Sequence, residues 1–94
     1  MLKALHRVMS TTTEEFVRGV RTAFPGRVEE RPGRLTIADD DNVIEIDFVP
    51  GPPHTIALLS LPTLRVTIRF AAGEHAAQAA MLAHMDRSMH RGGG

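Results

Sequence analysis

The chain has 94 residues, 11 Lys+Arg against 11 Asp+Glu, and no Cys, Trp or Tyr. That length holds one domain. The lack of cysteine excludes a disulfide scaffold, a thiol nucleophile, a Cys-ligated zinc site and an iron–sulfur cluster, and zero net charge argues against bulk attraction to nucleic acid or an anionic membrane.

Residues 1–9 read as a flexible N-terminal extension, in which Leu2, Leu5, Val8 and Met9 would line one side of a short helix. A two-turn helix is unstable without packing partners. Helix formation is expected from Thr11 or Thr12. Thr11-Thr12-Thr13-Glu14 and Thr12-Thr13-Glu14-Glu15 both have the spacing of a capping box, which puts a hydroxyl on orphan amides and a carboxylate near the positive helix end. Phe16, Val20 and Phe24 follow four residues apart, with Val17 and Ala23 widening the stripe, and Pro25-Gly26 ends the helix.

From Arg27 the period changes to two. Arg27–Arg31 reads as a short strand turning at Pro32-Gly33, and Arg34–Ala38 alternates Leu35 and Ile37 with polar residues. Asp39-Asp40-Asp41-Asn42 is a turn, because these side chains hydrogen-bond to their own backbone. Val43–Val49 is the clearest strand, with Ile44, Ile46 and Phe48 on one face and Glu45 and Asp47 on the other. Pro50-Gly51-Pro52-Pro53 reads as a stiff loop. Thr55–Leu61 reads as a central strand, apolar on both faces and broken by Pro62, after which Leu64–Phe70 alternates with Arg65, Thr67 and Arg69. Glu74 to about His90, rich in Ala, Met, Leu and Gln, is a second helix.

The expected fold is α+β. An antiparallel three- to four-stranded meander is flanked by an N-terminal and a C-terminal helix packed on one face, in the order α-β-β-β-β-α. Residues 10–91 form this single domain, and 92–94 a disordered Gly tail. No stretch approaches the ~18–20 apolar residues of a transmembrane helix, and a cytoplasmic protein is expected. Ten Arg to one Lys, with abundant Ala, Gly and Pro, points to GC-rich codons and a bacterial source.

Sites of chemistry are sparse. The carboxylates of Asp39–Asp47 lack EF-hand spacing and read as a solvated turn and a polar strand face. The histidines have no HExxH or His-x3-His spacing, so no metal is expected, and no cofactor either. Met81, Met85 and Met89 recur every four residues and read as a core-facing stripe. No serine lies in a nucleophile-elbow context, and no glycine loop cradles phosphate.

An α-β-β-β-α order is similar to that of double-stranded-RNA-binding domains. Their Lys-rich contact region would fall at Ala72–Ala77, which carries Glu74 and no Lys, so nucleic acid is not an expected partner. The terminal Gly92-Gly93-Gly94 resembles the end of ubiquitin-like modifiers, whose β-β-α-β-β order is not the one read here.

With both helices on one side, the opposite sheet face is bare. The function expected is a small non-enzymatic module that binds a protein, or a second copy, through that face. Leu59 and Leu61, or Ile56 and Leu58, would anchor the contact, and Arg65 and Arg69 would form its rim. The alternative is a small enzyme or ligand-binding domain using His54 with Asp47 or Glu45. The neutral total also hides a polarity. Residues 1–28 hold five Lys/Arg and two acids, a net of +3; residues 29–47 hold two Arg and seven acids, a net of −5; residues 48–94 hold four Arg and two acids, a net of +2. The acidic hairpin is therefore expected to pair with the Arg-bearing strand of its own chain or of a second copy.

Overall fold

A computed structural model describes residues Ala4–Gly93, with side chains described as far as Met89. The order is β1 (Ala4–Met9), α1 (Thr13–Ala23), β2 (Val28–Arg31), β3 (Arg34–Asp39), β4 (Asn42–Ile56), β5 (Leu59–Ala72) and α2 (His75–Gly93). The strands form one five-stranded sheet in the spatial order β1-β5-β4-β3-β2, with every neighbouring pair antiparallel. The α+β class and the meander flanked by two helices are as the periodicity implies. No helix is long and apolar enough to cross a membrane.

The helix boundaries follow local chemistry. Of the two possible capping boxes, the one at Thr12 forms: its hydroxyl accepts the Glu15 amide at 3.1 Å. Phe16, Val20 and Ala23 of α1 are buried, and Gly26 at φ 73° turns the chain out of the helix. Gly19 sits against Met89 of α2, where an added Cβ would lie 3.1 Å from Met89 Cγ, so its missing side chain lets the helices approach. Met81 and Met85 are buried, and Met89 packs beside them, as their spacing implies.

Both helices cover one sheet face. Leu35, Ile37, Ile44, Ile46, Phe48, Leu64, Val66 and Ile68 point into the core, joined by Phe16, Val20 and Phe24. Phe16 stacks tilted on Phe48 with ring centroids 5.6 Å apart. Removing each such side chain from water contributes about 1.5–3 kcal/mol.

Three expectations need correction. Within the expected extension 1–9, residues 4–9 are neither loose nor helical, because Ala4–Met9 is the edge strand β1, registered from Ala4 opposite Arg69 to Met9 opposite Leu64. Met9 joins the core, and Arg7 donates to both carboxylate oxygens of Asp86 on α2, at 2.6 and 3.1 Å. Leu5 and Met9 fit the inner row of a strand as well as the side of a helix, and the open edge of β5 decides between them. Met1–Lys3 lie outside the described residues.

The second correction concerns Thr55–Leu61, which is not a central strand. Its two ends belong to different strands, and Ala57-Leu58 is the turn between them, with His54 opposite Leu61 and Ile56 opposite Leu59. Nor is Pro50–Pro53 a loop, because β4 runs through it. Pro52 and Pro53 on β4 oppose Pro62 on β5, in the gap between the pairs Gly51–Thr63 and His54–Leu61. Two residues against one make a bulge, and there the missing proline N–H groups cost no ladder bond. The third correction is at the end of the chain. The tail expected at 92–94 is helical through Gly93, and Gly94 lies outside the described residues.

Gly73, at φ 109°, makes the turn from β5 into α2. A Cβ there would lie 2.1 Å from Asn42 Oδ1, the atom that accepts the Glu74 amide at the start of α2. Gly73→Ala is therefore expected to cost more than about 1 kcal/mol, read as a lower urea midpoint. Phe16→Ala should cost about 3–5 kcal/mol in the same measurement.

Candidate functional site

The face away from the helices is built from alternate residues of each strand. Directly opposed residues share a face, so three outer rows follow from the register. One runs Ala4, Arg69, Glu45, Thr36, Glu29, and the next His6, Thr67, Asp47, Arg34. The third is Val8, Arg65, Val49.

The first two rows are polar and internally paired. Asp47 accepts from Arg34 Nε at 2.7 Å and pairs with Arg69 on its other side. Arg69 also lies 3.8 Å from Glu45, and His6 Nδ1 is 3.2 Å from the Thr67 hydroxyl. The hydrogen bond from Arg34, reinforced by Arg69, holds the Asp47 carboxyl below the usual carboxylate range, while partial burial opposes the shift. Asp47 in turn raises the Arg34 pKa, first through that hydrogen bond. The acidic strand thus pairs with the Arg-bearing strands of its own chain.

The third row opens onto apolar surface. Val8 is 72% exposed and Val49 55%. With Arg65, His6, Asp47 and Thr67 they line an open concavity of about 390 Å³. Among the described residues, Arg65 makes no ion pair.

Beyond this row β4 and β5 continue without neighbours. β1 ends at Met9 opposite Leu64, and β3 begins at Arg34 opposite Asp47. The remaining two-stranded ribbon, residues 51–63, is an arm, and it accounts for the long dimension of a molecule measuring 46 × 26 × 23 Å. After the bulge, His54 and Ile56 share the outer face with Leu61 and Leu59. At its tip Ile56 is 51% exposed, Leu59 63%, and Leu58 fully exposed in the turn.

The four expected contact residues Leu59, Leu61, Arg65 and Arg69 all fall on the outer face of β5. They are not one patch. Arg69 belongs to the ion-paired centre, Arg65 to the concavity, and Leu59 and Leu61 to the arm. The alternative trio is not brought together. Glu45 and Asp47 are side by side in the ion-paired rows, whereas His54 lies on the arm, seven residues further along the same strand and roughly 20 Å away. Sequence reasoning missed Val8 and Val49. Their signal was alternation with Met9 and Phe48, visible for Val49 and hidden for Val8 by the helical reading of residues 1–9.

Comparison with protein families, curated proteins and solved structures finds no match to this chain.

Because its folded-state pKa is depressed, Asp47 contributes stability fully above the unfolded carboxylate value near 3.9, and that contribution is lost as pH falls through the lower folded value. Asp47→Asn is therefore expected to lower the melting temperature at neutral pH, and the gap from wild type should close as pH drops from about 5 to about 2. Thermal scans by circular dichroism across that range check it.

Proposed function

We propose that the chain is a small non-enzymatic, cytoplasmic bacterial module that works by protein contact, its binding surface being the arm and the apolar end of the outer sheet face. The observation that carries this reading is the arm itself. An isolated two-stranded ribbon is marginal in water, and this one exposes Ile56, Leu58 and Leu59 at its tip. A covering partner would remove that apolar surface from water, at about 25 cal/mol per Å².

The arrangement has the anatomy of an interface, with aliphatic side chains inside and polar groups at the margin. Arg65 at the base of the arm and His54 along it supply that margin. The ion-paired centre is a poorer contact surface, since stripping water from Asp47, Glu45 and Arg69 costs much of what their pairing returns.

Leu59→Glu is expected to weaken association at least about tenfold, while the melting temperature stays within a few degrees of wild type because Leu59 contributes nothing to the core. Analytical ultracentrifugation, together with affinity capture using wild type and variant, reads both. A wild-type chain that remains monomeric and captures no protein sinks the reading.

A further inference from the structure

We infer that the partner is a second copy of this chain, and that two copies cross their arms reciprocally, each tip pair Ile56/Leu59 seated in the other copy's outer-face concavity. The inference rests on the reading of the arm as the contact surface and adds the occupant and the symmetry.

The edges of the arm argue first. A bare ribbon ordinarily recruits another strand through its free N–H and C=O groups. Here Pro50, Pro52 and Pro53 remove donors along one strand, and Pro62 removes one on the other. Proline on exposed edges is a device against strand addition, so the arm is left to bind through its faces. The outer face carries the aliphatic pair Ile56/Leu59 and the half-buried Leu61.

The acceptor lies on the same molecule. The concavity floored by Val8 and Val49 has room, at about 390 Å³, for a pair of branched aliphatic side chains. Its spacing from the tip is self-complementary. The pair Val49–Arg65 and the pair Ile56–Leu59 stand at equal distances on either side of the bulge, where Pro62 faces Pro52 and Pro53. A two-fold axis crossing the ribbon at Pro62 sets Leu59 of one copy against Arg65 of the other and Ile56 against Val49, and the same rotation fills the second concavity. One operation thus buries both tips in a closed, isologous contact. Face-to-face sheets pack with strands within about 30° of each other, and two ribbons crossing at that angle keep both ends in contact.

Area and charge agree with this occupant. The chain exposes 6335 Å², against about 5,400 Å² for a compact monomer of its mass. The excess is of the same order as the ~800 Å² that each partner contributes to a stable interface. Asp47, at the edge of the concavity, is already neutralised between Arg34 and Arg69.

The absence of cysteine makes the test clean. Val49→Cys and Leu59→Cys are prepared separately, mixed in equal amounts and oxidised mildly, alongside sedimentation of wild type and Leu59→Asp. The expected results are a wild-type mass twice the 10.3 kDa of the chain, a monomeric Leu59→Asp with unchanged circular dichroism, and a mixed disulfide that forms at least about tenfold faster than in either variant alone. The control is sharp because the two Leu59 positions of a crossed pair lie six residues apart along the ribbon, roughly 20 Å. A monomeric wild type overturns the inference, as does a dimer indifferent to Leu59→Asp or a Leu59→Cys that links to itself as fast as to Val49→Cys. A monomer that binds a different protein through Leu59 also overturns the crossed pair, while leaving the broader reading of the arm in place.

Discussion

The pairing of β4 with β5 is the interaction on which the rest depends. Over its first half the ladder places Ile44, Ile46 and Phe48 beside Ile68 and Val66, and this row is the floor on which both helices pack. Every other strand is attached to one of these two: β3 and then β2 on the side of β4, β1 on the side of β5. The ladder then continues past the point where its neighbours stop. One continuous hydrogen-bonded unit therefore supports two regions of opposite character, a covered core and an exposed ribbon.

The outer face divides in the same way. Where the sheet is widest, Asp47, Arg34, Arg69 and Glu45 satisfy one another, which suits a face turned to water. Where β1 and β3 end, the polar rows give way to Val8 and Val49 and then to the aliphatic tip. Neighbouring strands explain the change, because cross-strand ion pairing needs facing side chains on adjacent strands, and three strands remain beyond Asp47 and only two beyond Pro50. The bulge keeps the ribbon continuous by gathering Pro52, Pro53 and Pro62 where no ladder bond is required of them.

Much of the candidate site was legible in the sequence and some of it was not. Alternation assigned Glu45, Asp47, Arg65 and Arg69 to the outer face correctly, because period two is a local property of an extended chain. The same rule failed at Thr55–Leu61. Ile56-Ala57-Leu58-Leu59 has none of the Gly, Asn or Asp that mark a two-residue hairpin turn, and Ala57 takes φ 53° without them. Four prolines suggested interruption, whereas Pro52, Pro53 and Pro62 face one another in the bulge and the ladder continues past them. His54 stood close to the acidic strand in sequence and ends far from it in space, because an extended chain carries seven residues a long way.

By itself the sequence determined the elements whose signals are local: the capped and Gly-terminated α1, the Met-lined face of α2, the inward and outward rows of β3, of β4 as far as Val49 and of β5 from Leu64 to Phe70, and the α+β class that follows from their order. Tertiary structure alone decided the fate of residues 4–9, since a short apolar stretch becomes a strand or a helix according to the surface that receives it, here the free edge of β5 and the carboxylate of Asp86. It alone also decided that the second half of the β4–β5 ladder lies beyond the core. Hydrophobic pattern reports which side chains favour burial, but whether another element arrives to bury them depends on where the neighbouring strands end, and no local stretch of sequence encodes that.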